Sequence, residues 1–459
     1  MKRNINYLFR ALVAAFAVVT LVLTNLTVLQ REELMSAAAN SRRLAGWDNQ
    51  SRRGGIYDRS GEVLAQTESA GGPRRYRDSW AFGPVLGYLN PRLGASGVEA
   101  RYAAVLTGRP AVWSALGLSF PLTGRGEDLI LTVDRGVQEE AMRLLAGKKG
   151  AAVVLDPRSG AVLALASRPA FDPASVAQEW EKISKDEDAP LLNRATQGLY
   201  PPGSTLKLLT LATVLSRQPA AGEQRYNCPG KLVLPGYTVH CPRAHGDVDL
   251  AQALAVSCNV TFAKLGLAAG NPALAEEAEK AGFNKAVPFD LPTAVSSFPR
   301  GRPGAGETAQ RAIGQGEVLA TPLTMALLTA GIANGGSIMR PYLVQERRLG
   351  ALVVDDTVPQ KLSTFVTPDT AAAITRMMVG VTQHGTGRSA ALPGVAVAGK
   401  TGTAENPHGA PHAWFVGFAP AEAPRVVVAV IVENGGSGGG AAAPIARRLL
   451  QTALEVVRQ

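Results

Sequence analysis

The sequence predicts an α+β fold: an antiparallel sheet flanked by helices and enclosing a helical subdomain, preceded by an N-terminal transmembrane helix and a small pedestal domain. Three observations predict it. Strand-like apolar runs stand at both ends of one long region, within AAVVLDPRSGAVLALAS near residue 150 and at Val395–Thr403, Ala413–Ala419 and Arg425–Val432. Between them, from Pro201 to Ala390, the pattern is mainly helical and rich in Ala and Leu. Ahead of both, Ala11 to Gln30 carries no charge. A sheet assembled from both ends around a helical insertion places a cleft where sheet and helices meet.

Taken in order, residues 1–10 form a short tail with Lys2, Arg3 and Arg10. Residues 11–30 fit one membrane span, which needs roughly 20 apolar residues. The basic tail keeps the N-terminus cytoplasmic and sends the rest outside. A cleaved signal peptide with Ala37 and Ala39 at the cut is the rival reading, but its apolar stretch is normally about 7–15 residues. An uncleaved anchor is therefore expected. Residues 31–127, polar and rich in Arg and Gly with Trp47, Trp80 and Trp113, read as a pedestal of limited core, dimerisation-like in character. The larger domain, 128–459, begins where DLILTVDRGVQEEAMRLLAG reads as a strand and an amphipathic helix capped by Asp134. A hairpin turning at Asp156–Gly160 follows, and the closing APIARRLLQTALEVVRQ reads as an apolar-striped helix.

The hydrophobic share of 46% and charged share of 18% belong to a folded chain. The formal charge of +10 suits either a surface near anionic polymers and headgroups or an ordinary solvated face. No aromatic-rich basic motif suggests nucleic acid. Three cysteines, Cys228, Cys241 and Cys258, leave several readings open. Outside the membrane Cys228 and Cys241 can close a disulfide, leaving Cys258 free. The three can also be small unpaired hydrophobes, and zinc on Cys228, His240, Cys241 and His245 would have irregular spacing. The disulfide is preferred, and neither metal nor cofactor is assigned.

Three short motifs carry chemistry. Ser204-Thr205-Leu206-Lys207 follows Tyr200-Pro201-Pro202-Gly203, a turn that cannot be helical, and opens an apolar helical run. Lys207 lies three residues on, about 4.5 Å along the same face, within reach of a hydroxyl one turn below. Serine needs a proton acceptor to become a nucleophile. Lysine serves only if burial or positive neighbours lower its pKa by roughly three units, about 4 kcal/mol of differential interaction. The second motif, Ser257-Cys258-Asn259, follows DVDLAQALAV, read as a helix that ends where the tripeptide begins, and is itself read as a loop presenting a hydroxyl and an amide. In the third, Gly399-Lys400-Thr401-Gly402-Thr403, strand alternation sends Lys400 and Gly402 to one face and Thr401 and Thr403 to the other. Gly402 leaves room for a substrate backbone, and the amine and hydroxyls suit a carboxylate.

Ser-x-x-Lys, Ser-x-Asn and Lys-Thr-Gly in this order are a known signature of penicillin-binding proteins and class A β-lactamases. With them stand RRGGIYDRSGEVLA (52–65), GASGVEARYAAVLTG (94–108), GAAVVLDPRSGAVLALAS, IGQGEVLATPLTMA and AGKTGTAE. On these segments the chain resembles the class B penicillin-binding proteins, monofunctional cell-wall transpeptidases. The resemblance implies Ser204 as nucleophile on the carbonyl between two terminal D-alanines of a stem peptide, with Lys207 as general base. It implies an oxyanion held by the N–H groups of Ser204 and Thr403, and a proton passed by Ser257, with Lys400 behind it, to the leaving D-alanine. Asn259 would orient the peptide, with Thr401, Gly402 and Thr403 at its carboxylate end. β-Lactams would acylate the same serine, and a separate multi-pass membrane glycosyltransferase is the implied partner. Gly314-Gln315-Gly316 resembles a family turn near the cleft and equally fits a plain turn; Gly435–Gly440 reads as a flexible loop.

Rival functions are weighed on the same residues. A class A β-lactamase would carry Glu-x-x-x-Asn between the second and third motifs. Here Glu223 to Asn227 precedes Ser257, and no such pattern lies between Asn259 and Lys400. A D,D-carboxypeptidase differs only in using water as acceptor, so the motifs admit it. A non-catalytic β-lactam sensor or scaffold would not need Ser204, Lys207 and Lys400 together.

Overall fold

The structure is a computed structural model that describes residues 2–25, 52–108, 125–407 and 409–457. Helix α1 (Lys2–Thr24) covers most of the expected anchor, whose end at 26–30 lies outside the described residues, as do Ala37, Ala39, Trp47 and Trp113. Among the described residues no helix is long and apolar enough to cross a membrane.

Strands β1 (Ile56–Tyr57), β2 (Val63–Gln66), β3 (Arg75–Tyr76) and β4 (Asp128–Leu131) are joined by two strands from far along the chain, β7 (Val344–Leu349) and β8 (Leu352–Asp356). Their six-stranded sheet runs β8-β7-β4-β1-β2-β3. It thus crosses position 128, where the composition changes. β1 and β4 pair in parallel, Ile56 opposite Leu129, and β7 pairs antiparallel with β4, Val344 opposite Leu131.

Glu99 pins this front region. Its carboxylate is fully buried and accepts from Arg53 Nε at 2.9 Å and Arg74 Nε at 2.6 Å. Burial alone would raise its pKa, but the Arg74 and Arg53 charges outweigh burial and hold the carboxyl below its usual range. A Glu99→Gln substitution leaves two buried guanidiniums facing a neutral amide. It should cost about 3–5 kcal/mol, read from the denaturant midpoint.

The central sheet is antiparallel throughout and has the order β9-β10-β11-β5-β6, from β5 (Gly150–Leu155), β6 (Val162–Arg168), β9 (Ala398–Ala404), β10 (His412–Ala419) and β11 (Val426–Val432). Strands from the two ends of the domain meet at β11 and β5, as the sequence pattern predicts. Every residue of β5 and β11 is buried, so side chains on both faces are covered. Helix α6 (Pro322–Ala333) packs on both β5 and β11 and α7 (Ala443–Val457) on β11, while α2 (Arg135–Leu144), capped as expected by Asp134 accepting from Val137 N–H, packs on the neighbouring β6. β9 is an edge strand whose free side faces the helical insertion, and the candidate site forms there.

Candidate active site

The Ser204 turn is held from several sides. Gly203–Leu206 forms a 3-10 turn running directly into α3 (Lys207–Arg217). Gly203 N–H donates to Gly314 carbonyl at 2.9 Å, so the Gly314-Gln315-Gly316 segment braces the turn. Trp414 Nε1 on β10 donates to Pro201 carbonyl at 3.0 Å. Tyr200 hydroxyl donates to Glu433 at 2.7 Å, and Arg194 Nε reaches the same carboxylate oxygen at 2.8 Å. Of these braces only the Gly314-Gln315-Gly316 turn is visible in the sequence; the Trp414 and Glu433 bonds reach residues more than two hundred positions away and have no signal in spacing or motif.

Gly203 has φ +53° and a Cβ there would lie 2.7 Å from Thr403 carbonyl oxygen on β9. The nucleophile's turn and the Lys-Thr-Gly strand touch at this point. On β9, a Cβ at Gly402 would meet Thr205 Cγ2 at 2.9 Å and Pro202 carbonyl at 3.0 Å. The space expected to receive a substrate backbone is therefore filled by the Ser204 turn itself. A Gly203→Ala protein combines left-handed strain with that contact. It should lose about 1–2 kcal/mol and a tenfold or larger share of its acylation rate, checked by thermal unfolding beside timed penicillin labelling.

Ser257-Cys258-Asn259 departs from the expected loop. Helix α4 (Leu250–Ala255) ends before it, but Asn259 is already the first residue of α5 (Asn259–Ala269), with Cys258 as its cap. Ser257 has φ +57°, a left-handed conformation uncommon for serine. That twist turns both its oxygens towards Lys207. Lys207 Nζ donates to Ser257 carbonyl at 2.8 Å, to Asn259 Oδ1 at 2.7 Å and to Ser257 Oγ at 3.2 Å. Lys400 Nζ reaches the same Ser257 Oγ at 2.9 Å and Thr401 carbonyl at 2.8 Å. The serine hydroxyl thus joins two amines, both fully buried.

Burial sets their protonation. Loss of water pulls Lys207 down to about 7, against some opposition from the negative field of Cys258 and Cys241. Lys400 is also held well below its ordinary range, by burial first and by repulsion from Lys207 second. Lys207 Nζ sits 5.5 Å from the Phe262 ring centroid, an apolar neighbour on α5.

Ser204 is half-buried at the cleft, and Thr403 is exposed on β9 beside it. Thr401 is buried and its Oγ1 lies 2.6 Å from Thr386 Oγ1, a site neighbour the motifs do not contain. Asn259 Nδ2 donates to His240 carbonyl at 2.8 Å. The stretch read as a flexible loop, Gly435–Gly440, carries a turn at Gly438–Ala442 capped by Ser437, and a Cβ at Gly438 would meet Gly402 and Trp414 carbonyls. The preferred disulfide is not formed. All three cysteines are free, and Cys228 Sγ stands 3.7 Å from Cys241 Sγ, beyond any covalent distance.

Residues 150–451 match the family model of the penicillin binding protein transpeptidase domain, and 53–127 that of the penicillin binding protein A dimerisation domain. The chain belongs to the class B penicillin-binding proteins. This penicillin-binding protein is 35% identical to the peptidoglycan D,D-transpeptidase PbpA of Mycolicibacterium smegmatis, over 92% of each chain. It is 34% identical to the Mycobacterium tuberculosis PbpA, again over 92% of each. Among solved structures it is similar to the D,D-transpeptidase domain of a peptidoglycan glycosyltransferase from Eggerthella lenta, with TM-score 0.82, 38% identity, and 89% of this chain and 99% of that one covered. The ceftriaxone acyl-enzyme complex of M. tuberculosis penicillin-binding protein A matches with TM-score 0.81, 32% identity and the same coverage. Further M. tuberculosis matches are acyl-enzyme complexes with imipenem and penicillin G.

Proposed function

We propose that this penicillin-binding protein cross-links peptidoglycan stem peptides by D,D-transpeptidation through an acyl-enzyme on Ser204, releasing D-alanine, and that β-lactams acylate the same hydroxyl. The observation carrying the reading is the Ser257 hydroxyl shared by two buried amines, Lys207 and Lys400, beside the Ser204 turn. A neutral Lys207 takes the Ser204 proton as Oγ attacks the carbonyl between the terminal D-alanines. The oxyanion is met by the N–H groups of Ser204 and Thr403. Ser257, with the Lys400 amine behind it, delivers a proton to the departing D-alanine nitrogen. Asn259 steers the peptide, while Thr401 and Thr403 hold its carboxylate end with Gly402 keeping the strand close. An amine from a neighbouring stem peptide then attacks the ester and restores Ser204.

The purified full chain is supplied with a pentapeptide stem donor, with and without an acceptor amine, and free D-alanine and dimeric peptide are quantified. Transpeptidation predicts cross-linked dimer in proportion to D-alanine released. Release with only hydrolysed product would instead mark a carboxypeptidase; no release and no penicillin label would mark a scaffold.

We further propose that residues 11–30 anchor the protein in the plasma membrane with the catalytic domain outside. In support, α1 leaves Phe9, Leu12, Phe16 and Leu21 each more than half exposed, at 66%, 61%, 75% and 70%, and Lys2, Arg3 and Arg10 precede or open the apolar run. Release into an alkaline carbonate wash of membranes would overturn this. A multi-pass membrane glycosyltransferase is the proposed partner, touching anchor and pedestal. Unchanged co-purification with such a polymerase after deletion of 31–122 would remove the pedestal from that contact.

A further inference from the structure

Behind Ser257 and Asn259 the fold gathers four side chains that acyl transfer does not use. Cys228, Cys241, His245 and Cys258 each bring one ligand atom to a common point, and these atoms lie within 4.8 Å of one another. Cys228 Sγ is 3.7 Å from Cys241 Sγ, Cys241 Sγ is 3.8 Å from Cys258 Sγ, and Cys228 Sγ is 3.4 Å from His245 Nδ1. A tetrahedral ion with bonds of about 2.3 Å to sulfur and about 2.0 Å to nitrogen has S···S edges of about 3.8 Å and S···N edges of about 3.5 Å. The three edges given, two S···S and one S···N, fit that figure, and the remaining three are no longer than 4.8 Å.

The surroundings suit thiolates. Val260 N–H donates to Cys241 Sγ at 3.4 Å, and Thr261 donates to Cys258 Sγ from its N–H at 3.4 Å and its hydroxyl at 3.2 Å. Both N–H groups belong to the first turn of α5, the positive end of its dipole. Cys228 and Cys258 have no exposed surface. The backbone around them is also poorly supported by packing alone. Strand 226–228 pairs only with 246–248, and between them the 231–234 and 237–240 hairpin stands as a separate pair. Two-stranded sheets are marginal by themselves. Cys228, Cys241 and His245 lie at the base of these ribbons, and Cys258 is the residue that caps the start of α5.

We infer that Cys228, Cys241, His245 and Cys258 form a closed Cys3His centre for a thiophilic, tetrahedral divalent ion of the zinc class. The ligand spacing is Cys-x12-Cys-x3-His-x12-Cys, and the set differs from the one the spacing suggested by exchanging His240 for Cys258. On binding, the three thiols lose their protons to solvent and no electron moves. With four protein ligands the ion has no open position, so it takes no part in the acyl transfer itself. Its effect is positional. Cys258 lies between Ser257 and Asn259, and Asn259 bonds the carbonyl of His240, next to Cys241. The centre therefore fixes the left-handed Ser257 and the Asn259 amide against Lys207.

The full chain, purified with reductant and given Zn2+ before gel filtration, should carry about one zinc per chain by elemental analysis. Cobalt in its place should give the visible bands of a tetrahedral thiolate site. A Cys228→Ser, Cys241→Ser protein should lose the metal, whereas His240→Ala, altering an exposed ring outside the cluster, should keep it. Stripping the wild-type chain with a chelator should slow β-lactam labelling tenfold or more, and Zn2+ alone should restore it. Less than about a tenth of an equivalent of metal with no tetrahedral cobalt spectrum overturns the site, as does a Cys241 disulfide found in the unreduced native protein. Full metal loss without a change in labelling overturns the positioning role alone. The metal measurement needs no assumption about Ser204, so its failure leaves the transpeptidase reading intact.

Discussion

A Ser204→Ala protein loses covalent labelling by fluorescent penicillin by at least about 10⁴-fold, the scale on which a nucleophile's removal is felt in acyl-enzyme chemistry. The loss should be chemical and not structural. Ser204 is half-buried in a turn held by backbone bonds from Gly203 and Trp414's bond to Pro201, none of which uses its hydroxyl. Its unfolding midpoint should therefore stay close to that of the wild type. Persistent labelling in the same pocket would reassign the nucleophile, and intact-mass analysis with peptide mapping would say to which residue.

The second large effect is in pH. With Lys207 near 7, its amine is about 90% protonated at pH 6 and about 90% neutral at pH 8, whereas an ordinary lysine would be under about 1% neutral at pH 8. Only the neutral amine accepts the Ser204 proton. The second-order acylation constant should consequently rise close to tenfold per pH unit below about 7 and level off above it. Lys207→Met, which keeps an unbranched apolar stem in the buried position, should lower the plateau by about 10²–10⁴-fold and erase that limb. A limb centred near pH 10 in the wild type would show that the amine is not desolvated as its burial requires, and Lys207 would cease to be the base.

Periodicity and motif order made much of this readable in advance. The hairpin of β5 and β6 and the late strands β10 and β11 announce themselves by continuous apolar runs, because both faces of the sheet are covered, and the last helix by an apolar stripe, because it buries one face. What escaped depends on partners remote in sequence. Asn259 was expected in a loop because Ser and Asn favour turns, yet it starts α5 since the Cys258 sulfur accepts from Thr261 N–H and does the work of a cap. Gly435–Gly440 reads as flexible by composition, but Gly438 is the residue that can lie against the Gly402 and Trp414 backbones, and Ser437 closes the turn. The cysteine cluster was hidden for a related reason. Its irregular spacing is made regular in space by two short ribbons and a helix end, and the adjacent His240 ring, attractive in sequence, points elsewhere.

The sheet that joins β4 to β7 has a consequence for how the protein is made. β1 to β4 leave the ribosome long before Val344–Asp356 is translated, so the front of the molecule must wait for its missing neighbours. A polypeptide that stops between 132 and 343 keeps β4 as a raw edge with an empty pairing side. Such an edge recruits strands from other copies. Prematurely terminated chains should therefore accumulate as insoluble aggregates and not as a soluble stump.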